Sequence, residues 1–389
     1  MKVCHTVFHE MPPIASWEEF AARFPGVAHL LTAQQKLGLR LCWIASSSAD
    51  HVFCNDAIKV RFVRAPKIYN TDVQSQNVGW NQARRVAHAI AEENPEVIHQ
   101  HGLNSWRALR SLSELVRERG TGCIVQDHGG GIPSLGIRRR LYRKSLATVK
   151  CAVFGDSETR DRWIGGRLLA REQCQILFAA SSIFAPAPES DRDQLRRQLQ
   201  MEGTPILGWV AHLDVNKDPL TILRASASYF ERNPEARLYM HFIKDDLREA
   251  CEAAIAGHPA LRQRVFLRGR IPHAKLESFY RAVDYFLQGS HHEAYGYSVV
   301  EAMSAGAIPI VTDIPSFRLL CDNGRCGFLF PPGNAPALEE LLAMVPRTPS
   351  EQERRRTVRR FENEFSYPVI AERFGSLYTD SLSGALPCA

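Results

Sequence analysis

Apolar and polar positions along this chain fall into two alternating patterns: short apolar runs of strand length, and longer stretches with helical spacing. In the first half the runs Val3–Phe8, Leu39–Ile44, Val97–His99, Cys123–Val125 and Cys151–Phe154 predict strands. Between them Ala28–Leu37, Gln82–Glu93 and Trp106–Arg119 predict helices. The second half repeats the scheme, with strands expected at Ile206–Val210, Arg237–Phe242, Val265–Arg268, Tyr285–Leu287 and Ile308–Val311. Strand and helix alternating at this pitch imply parallel sheets covered on both faces, hence an α/β protein of two doubly wound domains. The segment FAPAPES, Phe184–Ser190, carries proline at alternate positions and reads as the linker. The expected division is therefore 1–183, a linker at 184–190, 191–364, and a closing segment at 365–389.

Length agrees with two cores, since 389 residues exceed what one ordinary domain contains. Hydrophobic residues at 45% and charged residues at 23% describe a folding, globular chain rather than a disordered one. No apolar run reaches membrane-spanning length, and Met1–Glu10 lacks the basic start and apolar block of an export signal, so a cytoplasmic location is expected. The ten cysteines form no CxxC pair, which favours reduced thiols. Net charge is +6, unevenly spread: residues 1–186 hold 24 Lys+Arg against 16 Asp+Glu, and residues 187–389 hold 24 against 26. The basic excess of the first half admits an anionic partner or simply a solvated surface.

In open α/β sheets ligands sit beyond the carboxyl ends of the strands, so chemistry is sought in the loops that follow strands. After Tyr285–Leu287 comes GSHHEAYGYSVVEAMSAGAIPIV, residues 289–311. Ser298 and Glu301 fit a capping box and Gly306 a C-terminal cap, which predicts a helix of about two turns. Amides at Tyr297–Val299 would then make an anion site suited to a diphosphate. A second segment, AHLDVNKDPLTILRA at 211–225, follows Ile206–Val210 and places His212 and Lys217 at a strand end. A third, QDHGGGIP at 126–133, puts His128 before three glycines that allow close approach of backbone to ligand. Near the N-terminus a long connection, HEMPPIASWEEFAARFPG, contains Trp17, Phe24 and Gly26; burial is the default for such aromatics. His99 and His101 form an HxH at a strand end, the way some metal-dependent hydrolases begin their ligand set, but no His, His, Asp series follows to complete it.

Glu293-x7-Glu301, continuing into EAMSAGAIPIVTDIPSFRLLCDNGRCGFLFPPGN, resembles the donor-site signature of the retaining glycosyltransferases of family 4, which have the GT-B fold. The resemblance implies two Rossmann-like domains facing each other across a cleft, with the last segment, FSYPVIAERFGSLY, forming a helix that returns to the first domain. It implies contacts from Glu293 to the donor sugar, from Glu301 to the ribose hydroxyls, and from Gly296, Tyr297 and Ser298 to the phosphates. Carboxylates accept two hydroxyl hydrogen bonds at once, which suits the first two roles. Lys217 matches a lysine that neutralises the departing diphosphate, whereas His212 stands where arginine is usual. His128 resembles a histidine lying against the donor sugar, Gly269-Arg270 a turn meeting the base, and Gly26 an acceptor-side glycine. No metal or other cofactor is implied. The expected partners are a nucleotide-sugar and a sugar, lipid-linked or small-molecule acceptor, with no nucleic acid; contact of Arg138–Lys144 with a membrane face is a further expectation. A catalytically impaired nucleotide-sugar-binding or scaffold protein is the alternative, because His212 replaces a permanent charge; a metal-dependent hydrolase is the remote one.

Overall fold

The computed structural model describes residues 1–64, 78–103, 105–129, 131–133 and 136–383, apart from the side chain of Arg138. It divides into two units, Met1–Ala179 together with the segment from Tyr367 onward, and Ala180–Ser366.

The sheet of the first unit contains β1 (Lys2–Met11), β2 (Arg40–Ser47), β3 (His51–Asn55), β4 (Ile58–Arg64), β5 (Val97–His101), β6 (Gly122–Gln126), β7 (Cys151–Phe154) and β8 (Cys174–Ile176). Its order is β3-β4-β2-β1-β5-β6-β7-β8, parallel except for the β3–β4 hairpin. That hairpin is absent from the sequence expectation, although Ile58, Val60 and Phe62 alternate inward and are fully buried. The central strands carry near-continuous apolar side chains because helices cover both faces of the sheet. One cover is the helix Tyr367–Ser383, whose Ile370, Ala371, Phe374 and Tyr378 are buried among Val3, Leu41, Val97 and Ile124. The long connection after β1 is partly helical, with Trp17–Arg23 capped by Ser16 before the helix Pro25–Lys36.

The second unit holds β9 (Ile206–Val210), β10 (Arg237–His241), β11 (Val265–Gly269), β12 (Tyr285–Gln288), β13 (Ile308–Thr312) and β14 (Phe328–Phe330), all parallel, in the order β11-β10-β9-β12-β13-β14. The proline-rich stretch ends sooner than its composition suggests: Glu189 and Ser190 already belong to the helix Glu189–Gln198.

At the amino ends of the central strands lies Asp284, 3% exposed. Its Oδ2 accepts the N–H of Ile206 at 2.8 Å, while Oδ1 accepts from Arg196 at 2.8 Å, Arg354 at 2.5 Å and Arg192 at 3.4 Å. Its own N–H donates to the Ile206 carbonyl at 2.8 Å, and its carbonyl accepts from Ile308 at 3.1 Å. One residue thus joins the starts of β9, β12 and β13 to the helices Glu189–Gln198 and Glu351–Glu364. Burial, with Arg354 beside it, brings the Arg192 guanidinium down to about 10, so it is still charged at neutral pH. Removing this buried anion leaves buried cations without their compensating charge. Asp284→Ala is therefore expected to cost about 3–5 kcal/mol of stability, read as a lowered midpoint in chemical denaturation.

Candidate active site

In each sheet the strand order reverses once beside the first strand of its unit, between β1 and β5 and between β9 and β12. At such a switch point successive loops run to opposite sides and leave a crevice at the carboxyl edge. Most of the sequence-predicted residues gather at these two points, some in each unit.

In the second unit the loops after β9 and β12 are stitched together. Asn216 donates through Nδ2 to the His292 carbonyl at 3.1 Å, accepts the His292 N–H at 3.1 Å, and offers its carbonyl to the N–H of His291 at 2.8 Å. His291 Nε2 meets Asp218 Oδ2 at 3.1 Å. Lys217 Nζ pairs with Glu293 Oε1, and Ser290 Oγ donates to that oxygen at 2.8 Å. Ser290 is itself fixed by Gln288 Nε2, and its carbonyl accepts from Thr312 Oγ1 at 2.5 Å. The structure thus brings Lys217 and Glu293 into one ion pair. His212 begins the first loop; its carbonyl accepts the N–H of Asp214, and its Nδ1 is buried with no hydrogen-bond partner among the described residues. Asp218, Ser290 and Asn216 escaped the sequence reading, because loop side chains that serve another loop leave no periodic signal.

The helix Tyr297–Ser304 has two turns, but the Ser298–Glu301 capping box does not form. Gly296 is the N-cap, in a left-handed conformation with φ 58°, and makes no side-chain cap. A Cβ there would stand 2.5 Å from Phe317, so both backbone and space require glycine. Ser298 lies inside the helix, and the N–H of Val299 turns to the Gly296 carbonyl, which leaves Tyr297 and Ser298 as the amides ahead of the ladder. Glu301 does not cap. Its Oε2 accepts from the buried Tyr280 hydroxyl at 3.0 Å, and His273 Nε2 stands 3.8 Å from Oε1. Burial raises Glu301 to about 7, and the Tyr280 hydrogen bond offsets part of that rise. Gly306 does close the helix, with φ 87°. Arg270 is exposed just past Gly269, at the end of β11.

In the first unit, strand alternation puts His99 and His101 of β5 on one face, and register sets His5 of β1 opposite His99. His128 lies just beyond β6, its Nε2 3.1 Å from His101 Nδ1, with the two rings stacked 5.3 Å apart. His101 and His128 help line a cavity of about 280 Å³ whose other walls include Val7, Met11, Phe24 and Trp43. Gly26, within the first turn of Pro25–Lys36, has Tyr367 as its neighbour and does not line this cavity.

Nitrogens of His5, His99 and His101 lie within 4.8 Å of one another, close enough for a metal centre. Their hydrogen bonds argue otherwise. His5 Nδ1 and His101 Nε2 are 3.0 Å apart and share a proton, His99 spends Nδ1 on Tyr378 and Nε2 on Gln126, and its ring is parallel to His101 within 15°. Stacked rings direct their in-plane lone pairs side by side rather than at one ion. Desolvation keeps all four rings neutral, holding His5 and His128 near 4 and His99 and His101 well below the ordinary range.

Residues 191–360 match the family described as "Glycosyl transferases group 1". The chain is 22% identical to a GDP-mannose:cellobiosyl-diphosphopolyprenol alpha-mannosyltransferase of Xanthomonas oryzae pv. oryzae (strain PXO99A), over 98% of this chain and 97% of that one. Against the protein of the same description from Xanthomonas campestris it is 24% identical, over 84% and 82%. Among solved structures, sucrose-phosphate synthase from Thermosynechococcus elongatus superposes with a TM-score of 0.72 at 17% identity, covering 99% of this chain and all of that one.

Two outcomes follow from this geometry. Gly289 would place a Cβ 3.0 Å from the Asp218 carbonyl and 3.1 Å from that of Lys217, so Gly289→Ala is expected to part the stitched loops and weaken nucleotide binding at least tenfold in calorimetric titration. His5 is buried and held near 4 against an ordinary 6.5, so between those values the unfolded chain binds a proton that the folded one refuses. Stability must fall as pH is lowered through that window, by up to about 3 kcal/mol, which denaturation at pH 7 and pH 5 would display.

Proposed function

The chain belongs to the glycosyl transferases group 1 through its residues 191–360 and has the GT-B fold, and on that premise we propose that it moves a hexose-type sugar from a nucleotide-diphosphate donor to an acceptor hydroxyl, with retention and without a metal. The observation that carries this reading is the Lys217–Glu293 pair at the β9/β12 switch point, set in loops whose other residues hold it in place. A cation beside a carboxylate offers one group to a departing diphosphate and another to sugar hydroxyls. The Tyr297 and Ser298 amides add donors at the positive end of a helix, where charge grows on the leaving oxygen.

Glu301 serves the ribose. Its carboxylate accepts two hydroxyls, whereas the protonated form accepts less and donates once. With this group titrating near 7, donor affinity is expected to fall several-fold from pH 8 to pH 6. Glu301→Gln would bind weakly at both values, and a pH dependence that survives in that variant would remove Glu301 from the site.

GDP-mannose is the first donor to test, because the Xanthomonas relatives are named for it. The apolar walls of the first unit's cavity suit an acceptor with a hydrophobic portion, and the His128 imidazole would meet a hydroxyl. On the helix Ile137–Leu146, Arg139 is engaged with the Gly166 carbonyl, which leaves Arg140, Arg143 and Lys144 exposed beside Ile137 for an anionic lipid surface. No helix among the described residues is long and apolar enough to cross a membrane.

Thermal stabilisation by a panel of nucleotide-sugars, followed by sugar transfer or donor hydrolysis, tests the proposal. Lys217→Ala should lower turnover by more than about tenfold while nucleotide binding persists. A wild-type chain that binds nucleotide diphosphates yet releases sugar from no donor would leave the binding-module reading, which His212 in place of a permanent cation favours.

A further inference from the structure

Polar groups buried inside the first unit are ordered by one side-chain amide. Gln34, on the helix Pro25–Lys36, is fully buried and donates through Nε2 to the Tyr378 hydroxyl at 2.9 Å. Its Oε1 therefore faces His5 Nε2, 2.8 Å away, and that nitrogen must carry hydrogen. A neutral imidazole has one N–H, so His5 Nδ1 is an acceptor and the proton in its 3.0 Å contact belongs to His101 Nε2. The same rule makes His101 Nδ1 an acceptor, and the 3.1 Å contact to His128 is filled by the N–H of His128 Nε2.

A second branch follows from the same orientation. Having accepted from Gln34, the Tyr378 hydroxyl donates its proton to His99 Nδ1 at 2.7 Å, so His99 Nε2 carries hydrogen and finds Gln126 Oε1 at 3.1 Å. Every hydrogen bond in both branches is satisfied with this one amide orientation. Reversing the Gln34 amide would reverse every proton along the imidazole chain.

We propose that Gln34, His5 and His101 are positioning residues that lock His128 into one neutral tautomer, with its proton on Nε2 and its lone pair on Nδ1. Whatever group meets Nδ1 must then be a donor, and a substrate hydroxyl is of that class. The tautomer stands independently of the transferase reading; only the identity of the hydroxyl rests on it. Tyr378 extends the arrangement to the helix Tyr367–Ser383, far along the chain from every histidine it orders.

Nitrogen-15 correlation spectra of the histidine side chains in the full chain at pH 7 test this directly. The expected result is a single Nε2–H tautomer at His5, His101 and His128, with the His128 signals assigned by their absence in His128→Phe. In Gln34→Leu the single-tautomer signature at His128 is expected to be lost to a mixture of both forms, and Gln34→Glu, which keeps an acceptor toward His5, is expected to restore it. An Nδ1–H tautomer at His128 in the unaltered chain overturns the proposal without any variant having to fold. A His128 tautomer that is unchanged in a folded Gln34→Leu overturns it as well. Donor-binding measurements are separate, so failure of the transferase reading would leave this result standing.

Discussion

Asp284 is the contact on which the second unit's geometry depends. One buried carboxylate faces three guanidiniums and a strand amide, where an uncompensated charge of either sign is strongly unfavourable. Because it fixes where β9, β12 and β13 begin, it also fixes where their opposite ends release the chain. The loops with Lys217 and Glu293 start from strands that cannot slip relative to one another. Precision at the carboxyl edge is thus prepared some 15 Å away at the amino edge, given about 3.3 Å per residue over five-residue strands.

Both sheets place polar groups at their switch points, yet they solve the problem of burial differently. The second unit keeps charges and pairs them, as with Lys217 and Glu293. The first removes charge altogether: its histidines are neutral and exchange single protons along a defined direction. A charged site suits a polyanionic ligand, whereas a neutral, directional one suits hydroxyl groups that differ only in which partner donates.

Much of the architecture was legible because continuous apolar runs mark parallel strands, and each predicted strand is present in the structure with boundaries shifted by a few residues. The β3–β4 hairpin was legible too, in the alternation of Ile58, Val60 and Phe62, but its turn at Asp56-Ala57 lacks the usual glycine. The capping box failed for a local reason. Gly296 can take the left-handed turn that begins the helix two residues earlier, so Ser298 never stands at a helix boundary. Lys217 and Glu293 were found as separate motif positions, while their pairing, across 76 residues, depends on strand order rather than on spacing. The Gln34–Tyr378 contact spans 344 residues and could not be read from either segment. His99 and His101 suggested metal ligation because spacing shows that two rings share a face, but not that their nitrogens already have partners.

Tyr378 belongs to a stretch that completes the first unit only after the whole of the second has been made. On a ribosome, Ala180–Ser366 is a continuous segment that can close on itself, while the sheet begun by Lys2 still lacks the helix that covers Val97 and Ile124. The usual order, in which the amino-terminal domain is finished first during synthesis, is inverted for the last step of this protein. Until that helix docks, Gln34 Nε2 and His99 Nδ1 lack the Tyr378 hydroxyl that each meets in the finished unit, so the hydrogen-bond order of the histidine layer is the last part of the molecule to be set.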